Sequence, residues 1–455
     1  MKTIAILFSF YLLSCTSKQA THYDTVITNV DIIDVTDGSV TKNTVFVRNG
    51  VIAVIAPEGT LKPYTATTII EGVGKFLMPG LAEMHAHIPP PSVGAQRIEE
   101  TLFLYLSNGV TTIRGMLGDP AHLILKEQAA SGTLQSPRIF TSGPSLNGNS
   151  IPTPEEAIAK VKAYKKEGYD FLKIHPGIKK EAFDQLVQTA NEVGITFAGH
   201  VPVDVGIRHA LQSGYTSIDH VDGFLEGLVP PDAKVAADAN GFFGYNFTDL
   251  ADTLHIDALV QLSKKNKVWI VPTQSLFERW FAPVAAEELL QQPEMRYMPT
   301  TTLEDWKQRK NASIDPAAGF DADQWHRFNV IRRQLIRKLQ KNGHGMLLGS
   351  DAPQLFNVPG FSIHHEIEGL SQAGMTPLEI LRSGTLNPAV FFGMQDIFGS
   401  IKEGLDADMV LLNANPLENL KALKQIEGVM VRGTWLSKEK IADKLAEIAA
   451  NAKNN

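Results

Sequence analysis

From residue 81 to about residue 394 the chain alternates short β-branched runs with amphipathic stretches of helical period, and this alternation constrains the fold most. Strand–helix repetition predicts a parallel sheet whose crossovers are helices. Residues 111–114, 138–141, 171–174, 196–198, 217–219, 268–271 and 346–349 read as successive strands, and the run into His85 supplies an eighth. Stretches 154–168 and 180–194 carry helical periodicity between two pairs of them. Eight such units predict an α/β fold with a (β/α)8 TIM-like barrel over residues 81–394. Far more chain separates Pro272 from Gly345 than one crossover needs, so a helical insertion is expected around 274–340, near the barrel mouth.

The two ends of the chain have a different texture. Residues 25–30, 44–48 and 51–55 are short and β-branched, and Asn49-Gly50 between two apolar runs is a strong hairpin signal. Residues 408–412 and 429–434 again read as strands. The simplest account is a small β-sandwich domain built from both ends, 24–80 and 395–437, with an exposed, charged helix at 438–455. At 455 residues the chain exceeds one ordinary domain. Its net charge of −7, without a Lys/Arg block, excludes nucleic acid as an expected partner. Lys2 precedes an apolar run over 4–13 that is signal-peptide length and too short to span a bilayer. Leu12-Leu13-Ser14-Cys15 resembles the bacterial lipobox, and Cys15 is the sole cysteine. That resemblance implies cleavage of a 1–15 signal peptide, lipidation of Cys15, a tether over 16–23, and an exported, membrane-anchored lipoprotein of the periplasm or cell envelope.

The chemistry concentrates in Gly80-Leu81-Ala82-Glu83-Met84-His85-Ala86-His87. Residues two apart in a strand share a face, so His85 and His87 can point into a barrel and chelate one metal. Four further residues of ligand type, Lys173, His200, His220 and Asp351, each fall at or near the end of an expected strand. Those ends are where catalytic groups of such barrels converge.

His-x-His followed by Lys, His, His and Asp on later strands resembles the binuclear branch of the amidohydrolase superfamily. The Gly404-Leu405-Asp406-Ala407-Asp408 segment belongs to the same resemblance. Gly199-His200-Val201 and Ile363-His364-His365-Glu366-Ile367-Glu368 look most like imidazolonepropionase-like proteins and metal-dependent Xaa-Pro dipeptidases. The resemblance implies two divalent metals, usually zinc. His85, His87 and Asp351 would hold the first, His200 and His220 the second, and a carbamylated Lys173 would bridge them. Elementary chemistry agrees, because an ammonium cannot ligate a cation whereas a carbamate can. An inward lysine paired with Asp351 is the competing reading. Two metals lower the pKa of a shared water and polarise a carbonyl, and Asp351 is placed as the proton shuttle.

Arg114, His175 and His364 are the candidate substrate contacts, with Arg114 suited to a carboxylate or to a structural ion pair. His122, His209, His255, His326 and His344 read as surface residues, and Asp119 and Tyr215 carry no assigned role. The leading function is hydrolysis of an amide in a small molecule, such as a dipeptide or cyclic amide. A one-metal deaminase or ring-opening hydrolase and a non-catalytic binding protein are the alternatives. The sequence leaves a homo-oligomer open.

Overall fold

The computed structural model describes residues 20–60 and 63–453; Cys15 and the expected signal segment lie outside them. Regular structure begins with β1 (Thr21–Ile33), inside the stretch expected as tether, and continues through β2 (Val40–Arg48), β3 (Val51–Ala56), β4 (Tyr64–Glu71) and β5 (Phe76–Pro79). Asn49 and Gly50 have φ of 53° and 78° and join β2 to β3 with Arg48 opposite Val51, the two-residue hairpin that the dipeptide foretells. The 13-residue β1 runs antiparallel to β2. On its other edge it takes two parallel partners in turn, β4 along Thr21 to Thr28 and β5 at Asp31 and Ile32.

The chain then enters a parallel α/β layer. One sheet holds β6 (Leu81–Ala86), β7 (Val110–Gly115) and β8 (Arg138–Thr141). A second holds β9 (Phe171–Ile174), β10 (Thr196–Gly199), β11 (Ser217–Asp219) and β12 (Trp269–Val271). Helices follow the strands with the expected punctuation. Thr153 caps Pro154–Glu167 through Glu156 N, and Gly168 and Gly194 end the helices before them in the left-handed conformation. Isolated parallel bridges, Ser142 to Phe171, Ile270 to Met346 and Ala352 to Ala86, link the two sheets and segment 346–352 in a TIM-like layout. The continuous eight-strand ladder expected from sequence is therefore not formed. Segment 346–349 takes part only through bridges, because Leu348 N is committed to Ser383 O and Asn357 Nδ2 takes the Ser350 carbonyl.

Residues 274–340 are helical as expected, through Ala286–Leu290, Thr300–Ser313 and the long Ala322–Asn342. A second excursion, between β11 and the helix Ile256–Lys265, is largely turns and 3-10 helix and carries no periodic signal. The chain returns to the first sheet with β13 (Met409–Leu412), antiparallel to β5, then β14 (Ile426–Val431) and β15 (Thr434–Ser437). Both chain ends thus meet, but in a single mixed sheet ordered β15-β14-β13-β5-β1-β2-β3, with β4 also on β1, where two packed sheets were expected. Because β1 serves β4 and β5 along one edge, the strands stay in one ladder. Residues 429–434, read as one strand, fold back at Arg432 and Gly433, whose φ are 46° and 79°.

The helix Lys438–Lys453 is docked and only half exposed. Ile441, Ile448 and Ala452 are buried, and Ile448 packs in one cluster with Val429 and Leu436. His122, expected at the surface, is 1% exposed with Nε2 3.4 Å from Pro89 O. Among the described residues no helix is long and apolar enough to cross a membrane.

Candidate metal centre

Strand alternation turns His85, the penultimate residue of β6, and His87, one residue beyond it, to the same side. His85 Nε2 lies 3.4 Å and His87 Nε2 2.7 Å from Asp351 Oδ1. His220 follows β11, with its ring 4.6 Å from those of His85 and His200 and Nδ1 3.8 Å from Asp351 Oδ2. His200 follows β10, and the His175 ring lies 5.1 Å from it. Lys173, in β9, is fully buried with Nζ 2.9 Å from Asp219 Oδ2. The six residues singled out as ligands are therefore gathered in one place, together with His175. The partner of Lys173 is Asp219, and not the Asp351 of the competing reading.

Electrostatics suit a cation here. Burial brings the His85 imidazole down to about 4 and holds His220 well below its ordinary value, so both are neutral. Burial alone would raise Asp351, yet His85, the His87 hydrogen bond and Lys173 together keep it below the usual carboxylate range. Asp219 is likewise ionised, because Lys173, His85 and Arg114 outweigh its burial. Neutral imidazoles beside ionised carboxylates are the donor set of a divalent metal. Two triads, His85/His87/Asp351 and His85/Asp219/His220, present ligand atoms within 4.8 Å of one another. The buried Nδ1 of His85 lies 3.3 Å from Asp219 Oδ2 without hydrogen-bond geometry, a donor pair that a cation would join.

Arg114 is not available to substrate. It is 0% exposed, with Nη2 3.1 Å from Asp219 Oδ1, Nη1 donating to Ser217 Oγ and Nε to Met84 O. Its candidate role is corrected to the structural ion pair. His364 also leaves the site: its Nε2 donates to Asn108 Oδ1, in a cavity bordered by the C-terminal helix. His175 stays at the site's edge with Nδ1 2.8 Å from Ser145 Oγ.

The model of the Amidohydrolase family matches residues 76–436, more than half of the chain. The chain belongs to the amidohydrolase family. Among curated proteins it is similar to ochratoxinase of Aspergillus niger, at 22% identity over 86% of this chain and 82% of that protein. Among solved structures it resembles bottromycin amidohydrolase, with a TM-score of 0.71, 22% identity and coverage of 94% of this chain and 90% of that one. It also resembles a putative prolidase from Bifidobacterium longum, with a TM-score of 0.65, 23% identity and coverage of 94% and 99%.

This amidohydrolase, a hydrolase by family, holds its centre with residues that sequence reading passed over. Asp222 Oδ2 accepts from His200 Nδ1 and from Val201 N, both at 3.0 Å, which fixes that imidazole's orientation. Thr273 Oγ1 lies 2.8 Å from His220 Nδ1, and Arg332 Nη1 donates to His220 O at 2.7 Å. Tyr215, without a role at first reading, donates its hydroxyl to His200 O. Glu83, pushed up to about 8 by burial, accepts from His85 N and from Ser350 N and Oγ, tying β6 to the segment bearing Asp351. Asp219 and Asp222 flank His220 in sequence, so acids beside a strand-end histidine were the available signal. Phe243, in the irregular excursion, had none, yet its ring lies 5.1 Å from that of His220 and 5.7 Å from that of His200. His220, Val221, Phe243, Thr273 and Asp351 all adopt positive φ. Such backbone is costly for residues other than glycine and gathers at functional sites.

Proposed function

We propose that this amidohydrolase cleaves the C–N amide bond of a small substrate, a dipeptide or a cyclic amide among them, with two divalent metals, zinc being the usual pair. The observation that carries this reading is the convergence of His85, His87, Lys173, His200, His220 and Asp351 from five parts of the fold. His85, His87 and Asp351 would hold one ion, His200 and His220 the other, with carbamylated Lys173 between them. When bound, the ions supply a water of lowered pKa and polarise the scissile carbonyl. Asp351, kept ionised by its neighbours, is placed to take the water's proton and deliver it to the departing amine. Asp222 and Thr273 orient His200 and His220 for that task.

Elemental analysis of purified, unchelated protein tests the reading, with a value near two metals per chain expected. A one-metal deaminase or ring-opening hydrolase is the second reading, favoured by the Lys173–Asp219 ion pair, which gives an unmodified lysine a structural use. It would employ His85, His87, Asp351 and one further histidine, and a reproducible value near one metal would select it. The same proposal places the enzyme outside the cytoplasm on a lipid anchor at Cys15. Cys15→Ser should move it from the membrane fraction to the soluble fraction with its fold intact, and unchanged membrane partitioning would defeat the anchor.

A further inference from the structure

One side of the centre is aromatic and uncharged. Phe243 lies against His200 at an interplanar angle of 28° and against His220 at 58°, and it is only half-buried, so part of its surface stays open beside the two imidazoles. Its own position is fixed. Its φ of 50° is enforced by an excursion in which Asn240 Nδ2 donates to Glu226 Oε1 and Asn246 N to Asn240 O. From Phe243 the aromatic surface continues to Phe242, with ring centroids 4.3 Å apart, and from Phe242 to Phe281 at 3.7 Å and Trp280 at 5.5 Å. These three are also half-buried.

The three buried cations beside the centre are committed elsewhere. Arg114 and Lys173 are spent on Asp219, and Arg332 donates to the carbonyls of His220 and Pro272. Loops 87–94, 116–118, 142–153 and 352–361, which follow other strands of the parallel layer on the side of the centre, contain no Lys or Arg. Lys179, in the loop after β9, lies 3.9 Å from Asp204. Arg309 lies over the far end of this surface, 5.1 Å from the Trp280 ring, and Lys234 is exposed in the same excursion, but among the described residues no Lys or Arg sits over Phe243 itself. An apolar ring face beside the two imidazoles selects a substrate with a flat, uncharged group at that position.

We infer that the substrate is an uncharged amide with an aromatic ring next to the scissile carbonyl, seated against Phe243, an inference that rests on the amide-hydrolase reading above. Free dipeptides, which carry a carboxylate, are the poorer class.

Three amides test this with the metal-loaded enzyme: phenylacetyl-n-butylamide, acetyl-n-butylamide and phenylacetylglycine. The first should exceed each of the others in kcat/KM by at least roughly tenfold. In Phe243→Leu, which keeps apolar volume and loses the ring, the aromatic-to-aliphatic ratio should shrink to within about threefold. Titration calorimetry with phenylacetone, a ketone with no C–N bond to cleave and so independent of turnover, should show roughly tenfold weaker binding to the variant than to the parent. Equal or faster cleavage of phenylacetylglycine or of the aliphatic amide overturns the inference while leaving the amide-hydrolase reading standing. So does a folded Phe243→Leu enzyme with an unchanged ratio and affinity. No turnover of any of the three overturns this inference, and turnover of a dipeptide or cyclic amide by the same preparation shows that the amide-hydrolase reading survives it. If Phe243→Leu fails to fold, the comparison of the three amides on the parent enzyme decides alone.

Discussion

Lys173 shows how much one side chain has to do in this centre. As an ammonium it neutralises Asp219 in a site where neither group meets water. As a carbamate it would become a bridging ligand, and Asp219 would be left with Arg114 and His85. The two states predict different behaviour of one variant. Lys173→Arg keeps the charge but cannot be carbamylated, so under the two-metal reading kcat and metal content should both fall, activity by at least roughly a hundredfold. Short carboxylic acids should restore part of the activity of Lys173→Ala by occupying the vacated bridge. A fully metallated, active Lys173→Arg enzyme would refute the bridge. Away from the centre, Glu366 is buried with Oε1 unpartnered, and burial raises its carboxyl to about 7. The folded state therefore binds a proton that the unfolded state has released above its ordinary value of 4.5. Its stabilising contribution is complete below pH 4.5 and is lost as pH rises through 7, a change on the order of 3 kcal/mol. Glu366→Gln, which mimics the protonated form, should flatten the urea midpoint between pH 5 and 8. An unaltered pH slope would show that Glu366 does not titrate in that range.

Elements were legible where local chemistry decides them. Asn49-Gly50 announces its hairpin because both residues tolerate positive φ, and the helix ends at Gly168 and Gly194 follow from the same freedom. The turn at Arg432-Gly433 was missed because arginine is a poor left-handed residue. What holds it there is Asp408, whose Oδ1 accepts from Arg432 N across 24 residues of sequence. The metal-centre candidates were legible because strand alternation and strand ends fix where His85, His87, His200 and His220 point. Asp219 and Asp222 carried a weaker signal, acids beside a strand-end histidine, which does not by itself separate an acid that supports a histidine from one that is solvated. The C-terminal helix was legible from Lys438 onward, but its buried face was not. Its charges suggested exposure, while Ile448 is in fact 0% exposed. Ile448→Ala should cost roughly 2 to 4 kcal/mol in chemical denaturation. A helix lying free in solvent would register almost nothing.

At the scale of the molecule, a metal held at this centre would link binding to folding. Ions that bind only the folded centre stabilise it by mass action, so chelation should lower the melting temperature, and re-addition of zinc should restore it. A melting temperature indifferent to chelator would argue that the centre needs no ion to persist. The closing sheet brings a different consequence, one of timing. Leu77 in β5 pairs with Leu411 in β13, so a strand made early waits for one made about 330 residues later. At ribosomal speeds that interval is roughly 20 to 60 s. Throughout it β5 presents a bare edge, the kind of surface on which chains aggregate. A nascent chain must be kept from collapsing onto that edge until residue 409 arrives, and a chain broken off before that point never covers it.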